Sequence, residues 1–100
     1  MIKNLINNFN NLIESKKIVI VYFYNRECIK TNKIFKELKE KNNNVLFLDY
    51  DVENEKNKDL LEILEVNIYP YFYIYKNGVK IDQLLGTLNI KKILSQYIYT

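Results

Sequence analysis

Cysteine, histidine, glycine and proline are scarce in this chain of 100 residues, and the first three scarcities each exclude a class of function. One cysteine and no histidine cannot build the familiar zinc sites of Cys and His ligands. The same counts rule out Ser-His-Asp and Cys-His catalysis within the chain. Gly78 and Gly86 are the only glycines, so a glycine-rich phosphate-binding loop is excluded as well.

The composition is that of one soluble domain over residues 1–100. The apolar share is 48% and the charged share 27%, and no apolar run approaches the roughly 20 residues of a membrane span. The N-terminus does not resemble a secretory signal, so we expect a cytoplasmic protein. The net charge of +3 comes from dispersed lysines, with Arg26 the sole arginine. This pattern predicts neither nucleic-acid binding nor membrane association.

The first half of the chain alternates between helical and strand patterns. Apolar residues at helical spacing predict an amphipathic helix over residues 2–14, with Leu12 on its buried face. The unbroken β-branched and aromatic run 18–24 predicts a central strand that is buried on both faces. A helix over 28–41 and a strand over 45–50 follow. This strand, helix, strand order suits a parallel pair with a right-handed crossover.

The second half predicts a helix, two strands and a final helix, over residues 59–65, 71–75, 79–84 and 89–99. The turn Lys76-Asn77-Gly78 between the two strands is typical of a hairpin, because its glycine can take positive φ. These two strands are therefore antiparallel. Pro70, the only proline, belongs at the start of a strand, where no ladder hydrogen bond is needed from its nitrogen.

Cys28 lies where the central strand gives way to a helix. A helix N-terminus presents unpaired N–H groups and the positive end of the dipole, which favour a thiolate over a thiol, and Arg26 and Lys30 act in the same direction. The residue three positions on is Thr31, so a dithiol cycle within the chain is excluded. Two interpretations of Cys28 stay open: a reactive thiol, and a small inert residue.

These elements and several motifs together resemble the thioredoxin family across nearly the whole chain. Residues 19–33 are similar to the family's active-site strand and loop, with Cys28 at the nucleophilic cysteine and Thr31 at the resolving one. Residues 68–71 resemble its cis-proline segment, and residues 72–78 its next strand and turn. Gly86 stands where a family glycine lets a substrate chain approach closely.

The resemblance implies an α/β thioredoxin-like fold with a central four-stranded mixed sheet and about four flanking helices. The family's short first strand, which would be a fifth, has no clear counterpart before Ile2. The resemblance also implies a cis Tyr69–Pro70 bond, whereas propensity alone favours trans.

The departures from the family concern the chemistry. A Trp-Cys-Gly-Pro-Cys loop is replaced here by residues 27–31, Glu-Cys-Ile-Lys-Thr, so internal attack on a mixed disulfide is impossible. The family's buried acid falls at Tyr22. Phe47 replaces the lysine that partners this acid.

Three functional hypotheses follow from the resemblance. In the first, the Cys28 thiolate attacks a disulfide or a glutathionylated protein as a monothiol, and an external thiol such as glutathione resolves the product. In the second, the domain is a redox-inactive protein-binding module. The third and weakest is a monothiol glutaredoxin with an iron–sulfur cluster. We expect no resident cofactor or metal, and either a monomer or a Cys28-linked dimer. The predicted site residues are Cys28 and Thr31 for catalysis and Ile29, Tyr69, Pro70 and Gly86 for substrate binding.

Overall fold

The computed structural model describes residues 2–86 and 89–99 of the chain. Along the sequence its helices and strands are α1 (Ile2–Glu14), β1 (Ile18–Tyr24), α2 (Ile29–Lys41), β2 (Leu46–Asp51), α3 (Lys58–Ile63), β3 (Tyr71–Lys76), β4 (Val79–Leu85) and α4 (Ile90–Ile98). Within the described ranges, no helix has the length and apolar character needed to cross a bilayer.

The strands form one mixed sheet in the order β2-β1-β3-β4. β1 runs parallel to β2 and antiparallel to β3, and β4 completes an antiparallel hairpin with β3. Every residue of β1 from Ile18 to Phe23 is buried, which confirms the prediction of a central strand. The predicted four-stranded mixed sheet with four helices is likewise confirmed, and the described part of the chain holds no strand before β1.

Helices cover both faces of this sheet, because side chains of β1 point alternately to opposite sides. Ile20 and Tyr22 pack with residues of α2 and α4 in one apolar cluster, while Val21 and Phe23 pack with residues of α1 and α3 in another. β1 therefore belongs to both cores, and its C-terminal end is held firmly in place just before the loop that leads to Cys28.

The hairpin between β3 and β4 has a two-residue loop, Asn77-Gly78, since Lys76 pairs with Val79. Asn77 has a φ of 52° and Gly78 a φ of 82°. Positive φ at both central residues is the geometry of a type I′ turn, which Asn-Gly adopts readily. The predicted hairpin is confirmed.

The structure differs from the sequence-based expectations mainly at element ends. α3 is shorter than predicted and follows a 3-10 turn, Glu55–Asn57, that begins where Asn54 Oδ1 accepts a hydrogen bond from the Lys56 N–H at 3.0 Å. Leu12 was expected on the buried face of α1 but is 38% exposed. Phe9 is buried and already faces the sheet, and Leu12, three residues on, lies at the border of the apolar stripe.

We expect Leu94→Ala to lower the free energy of unfolding by about 2–5 kcal/mol, because Leu94 is fully buried in the core between α4 and the sheet. Leu12→Ala, on the half-exposed border of α1, is the matched control and should cost less than about 1 kcal/mol. Urea unfolding followed by circular dichroism measures both. Equal losses in the two variants would contradict the burial pattern.

Candidate active site around Cys28

Cys28 is the N-cap residue of α2 and follows the loop that leaves β1. Its N–H donates to the Asn25 carbonyl at 3.1 Å, and its own carbonyl accepts from the Asn32 N–H at 2.8 Å. These backbone bonds fix the residue at the strand-to-helix junction. Only 9% of Cys28 is exposed.

The sulfur atom makes a contact that the sequence did not predict. Cys28 Sγ donates to Asn25 Oδ1 at 3.1 Å, and the same oxygen accepts from the Glu27 N–H at 3.1 Å. The Cys28 side chain makes no capping hydrogen bond to α2. The expected stabilisation of a thiolate by N–H groups of the helix is therefore not the arrangement in this structure, in which the sulfur faces an acceptor.

Thr31 lies one turn further along α2 and is 8% exposed. Its Oγ1 donates to the Gly86 carbonyl at 3.4 Å, and the Gly86 N–H donates to the Pro70 carbonyl at 2.9 Å. These two hydrogen bonds connect the first turn of α2 to the segment before β3. The Tyr69–Pro70 peptide bond is cis, the isomer that the family resemblance implies.

An open cleft of about 540 Å³ lies over this junction. It is lined by Asn25, Glu27, Cys28, Ile29, Lys30, Thr31, Tyr69 and Pro70. The rim of the cleft is apolar, since Ile29 is 73% exposed and Tyr69 47%. Five of the six predicted site residues thus line one cleft, and exposed apolar side chains beside a thiol are typical of a surface that contacts another protein.

Comparison with known proteins agrees with this fold. The sequence model of the thioredoxin family, described as Thioredoxin, matches residues 2–99. The chain belongs to the thioredoxin family. This membership supports a thioredoxin-family redox function, while the single cysteine sets the chain apart from dithiol thioredoxins.

Several thioredoxins are similar to this chain. Thioredoxin of Coprinus comatus is 36% identical over 91 residues, which cover 86% of this chain and 83% of that protein. Thioredoxin 1 of Plasmodium falciparum is 27% identical over 94 residues, covering 89% and 88%. The solution structure of oxidised thioredoxin from Plasmodium falciparum superposes with a TM-score of 0.75 at 25% identity, over 92% of this chain and 91% of that one. Oxidised thioredoxin O2 from Arabidopsis thaliana, at 18% identity, shares the fold with a TM-score of 0.77 over 97% and 89%.

Tyr22 lies beneath the thiol at the position where the thioredoxin resemblance places a buried acid. Its hydroxyl donates to Asn32 Oδ1 at 2.5 Å, and its ring stacks on Phe72 at a centroid distance of 4.4 Å. Burial, and then the neighbouring Cys28, raise the pKa of the Tyr22 phenol well above its usual range. The phenol therefore stays neutral near pH 7 and is a hydrogen-bond donor, not a base.

Arg26, which the sequence analysis placed beside the thiol, is engaged elsewhere. Its side-chain Nε lies 3.6 Å from Glu53 Oε2, and its backbone N–H donates a hydrogen bond to Glu53 Oε1 at 3.2 Å. Glu27 and Lys30, of opposite charge, both line the cleft. The two basic residues that flank Cys28 in the sequence thus each have an acidic residue near them, Glu53 for Arg26 and Glu27 in the same cleft as Lys30.

Gly86, the sixth predicted site residue, packs against Pro70 and is not among the residues that line the cleft. It lines a neighbouring cavity of about 520 Å³ together with Lys30, Thr31, Ile34, Asn89, Ile90 and Lys91. A Cβ atom added at Gly86 would lie 3.0 Å from carbon atoms of both Pro70 and Phe72. Close packing inside the protein is thus sufficient reason for a glycine at this position.

We expect Gly86→Ala to destabilise the fold by about 1–3 kcal/mol, because the added methyl group overpacks against two rings, Pro70 and Phe72. The free energy of unfolding in urea measures this loss. A variant as stable as the wild type would show that the Pro70 segment moves away at little cost, and would contradict the tight packing between Gly86 and this segment.

Proposed function

We propose that this protein catalyses monothiol thiol–disulfide exchange, with Cys28 as the nucleophile and an external thiol as the resolving partner. The observation that carries the proposal is that Cys28 lines an open cleft together with Tyr69 and Pro70, while the residue at the resolving position, Thr31, is a buried hydroxyl. Membership of the thioredoxin family supports the chemistry, and the absence of a second cysteine from the sequence dictates its monothiol form.

In the first step the Cys28 thiolate attacks a glutathionylated protein at the sulfur atom of the glutathionyl group. A new disulfide forms between Cys28 and glutathione, the substrate's S–S bond breaks, and the protein sulfur leaves as a thiolate that takes a proton from solvent. Ile29, Tyr69 and Pro70 provide the apolar surface against which the substrate chain lies.

In the second step a free glutathione thiolate attacks the glutathione sulfur of the Cys28 mixed disulfide. Cys28 is released as a thiolate and glutathione disulfide is the product. One free glutathione is consumed for each protein thiol released, since the other half of the glutathione disulfide comes from the substrate. Thr31 cannot replace this external thiol, because a hydroxyl does not form a disulfide. We infer a role for Thr31 in tying α2 to Gly86 beside the cleft.

A reducing compartment such as the cytoplasm suits this reaction, because it keeps thiols reduced and supplies glutathione. The low exposure of Cys28 favours a monomer over a Cys28-linked dimer, since two such sulfur atoms approach each other with difficulty.

One observation favours the second candidate, a redox-inactive protein-binding module. Cys28 is 9% exposed and its sulfur is hydrogen-bonded, whereas Ile29, Ile68 and Tyr69 around it are between 47% and 73% exposed. The apolar rim suits partner binding whether or not the sulfur reacts. Chemistry at Cys28 therefore decides between the two candidates.

Exposure of the folded, reduced protein to glutathione disulfide tests the lead proposal. We expect one glutathionyl group to be added at Cys28, seen by intact mass spectrometry, and to be removed again by reduced glutathione. Cys28→Ser is the control and should gain no mass. If the wild type is modified only after unfolding in denaturant, the exchange reaction is wrong and the binding module is the better interpretation.

Restoring the second thiol gives an independent test. We expect Thr31→Cys to form an internal disulfide on mild oxidation, because side chains three residues apart in a first helical turn are neighbours. The oxidised variant should be lighter than its reduced form by two hydrogen atoms. Once reduced by dithiothreitol, the variant should accelerate the reduction of insulin disulfides above the rate with dithiothreitol alone.

The double variant Cys28→Ser/Thr31→Cys is the matched control for this experiment, since it keeps the new thiol without its partner. It should show no mass change and should reduce insulin no faster than dithiothreitol alone. Two free thiols persisting in oxidised Thr31→Cys would contradict the assignment of position 31 to the resolving site.

A further inference from the structure

We propose that Asn25 is a positioning residue that holds Cys28 as the protonated thiol and thereby limits how readily the reactive thiolate forms. This inference rests on the proposed function, because it concerns the control of the same sulfur atom. It goes beyond that function by naming a residue that opposes the activating influence of the helix N-terminus. The geometry of three atoms carries it: Cys28 Sγ, Asn25 Oδ1 and the Glu27 nitrogen.

The orientation of the Asn25 carboxamide follows from its second contact. The Glu27 N–H can only donate, so the Asn25 atom that lies 3.1 Å from this nitrogen is the acceptor, Oδ1. The same Oδ1 lies 3.1 Å from Cys28 Sγ. A carboxamide oxygen accepts hydrogen bonds and cannot donate one. The sulfur must therefore donate, which requires the S–H form.

An acceptor beside the sulfur stabilises the thiol and opposes its ionisation. This acts against the N–H groups and dipole at the start of α2, which favour the thiolate. Rotation of the carboxamide by 180° would present its NH₂ group to the sulfur, but it would also break the bond from the Glu27 N–H. The turn that shapes the loop thus keeps the acceptor in place.

The charged side chains of the loop do not take the place of Asn25 beside the sulfur. Glu27 and Lys30 line the cleft with opposite charges. Arg26 is paired with Glu53, which follows β2. None of these groups is joined to the sulfur by a hydrogen bond described in the structure.

Two tyrosines complete the titratable groups near Cys28. Tyr22 approaches from β1, and burial keeps its phenol neutral while its hydroxyl donates to Asn32. Tyr69 lines the cleft from the segment before β3 and is 47% exposed. The Tyr22 phenol brings no negative charge near pH 7, although its hydroxyl also interacts with Cys28. The hydrogen bond from Cys28 Sγ to Asn25 Oδ1 is the contact that favours the thiol over the thiolate.

The test is the rate of Cys28 alkylation by iodoacetamide in folded protein across a range of pH, with two variants of Asn25 that act in opposite directions. Asn25→Ala removes the acceptor, so the pH of half-maximal rate should fall and the rate near pH 7 should rise about threefold. Asn25→Asp keeps the acceptor and adds a negative charge, so the pH of half-maximal rate should rise. The rate near pH 7 should then fall about threefold. The plateau rate at high pH should not change.

Asn54 offers a matched control, because its Oδ1 accepts from the Lys56 N–H in the same turn geometry without a thiol beside it. Asn54→Ala and Asn54→Asp should leave the alkylation profile unchanged. Unfolding curves of all four variants establish that they are folded at each pH. If Asn25→Ala does not fold, Asn25→Asp decides alone, since an aspartate retains the bond from the Glu27 N–H.

Three results would overturn the inference. A fall in plateau rate alone would assign Asn25 a purely structural role in access to the sulfur. A shift in the pH of half-maximal rate that has the same direction in both Asn25 variants would likewise assign Asn25 a purely structural role. A rise in the pH of half-maximal rate for Asn25→Ala would show that the carboxamide donates to the thiolate. Alkylation requires no disulfide, so these results are distinguishable from a failure of glutathione exchange at Cys28.

Discussion

The burial of β1 between two layers of helices is the constraint on which the rest of the structure depends. Its side chains fill both cores in alternation, and its backbone pairs on both sides, parallel with β2 and antiparallel with β3. A strand held in this way cannot slip, because a shift by one residue would exchange the contents of the two cores. The loop that carries Asn25 and Cys28 begins at this fixed point.

Tyr22 links this core to the site. Its ring contacts those of Phe35 and Phe72, at centroid distances of 4.9 and 4.4 Å, and its hydroxyl reaches Asn32 in the first turn of α2. The partly buried hydroxyl satisfies its hydrogen-bonding need at the helix that begins directly after Cys28. The Tyr22 ring packs in the core, and its hydroxyl binds α2 through Asn32. A carboxylate at this position would instead place a negative charge beneath the sulfur. The core and the environment of the thiol are therefore set together.

The sequence was sufficient to predict those parts of the fold that depend on repeating patterns. The unbroken apolar run of β1 and the Asn77-Gly78 turn are local signals whose physical meaning scarcely depends on context, and both were interpreted correctly. The border of an apolar stripe is less well defined, since it depends on where the neighbouring helix lies, and Leu12 was consequently misplaced.

The surroundings of Cys28 were harder to predict, because they depend on contacts between loops. Arg26 is close to the thiol in sequence but pairs with Glu53, which is distant in sequence. Gly86 is predicted to border the substrate, and the folded chain adds contacts with Pro70 and Phe72 that the sequence does not reveal. The role of Asn25 had a local signal, an asparagine three residues before a helix-capping cysteine. An asparagine in such a loop most often bonds only to the backbone, so the signal does not identify the sulfur as a second donor.

A thiol held in its protonated form is consistent with an exchange protein that lacks a second cysteine. In a dithiol protein, the second thiol resolves each mixed disulfide quickly. An attack on an unintended disulfide therefore leaves only a short-lived adduct. In the exchange proposed for this protein, a mixed disulfide at Cys28 would last until an external thiol reached it through the cleft beside Tyr69. The lifetime of each adduct is then set by the external thiol concentration and not by the protein. The protein can still limit how often Cys28 attacks a disulfide, and Asn25 Oδ1, as the acceptor of the S–H hydrogen bond, lies where it can impose that limit.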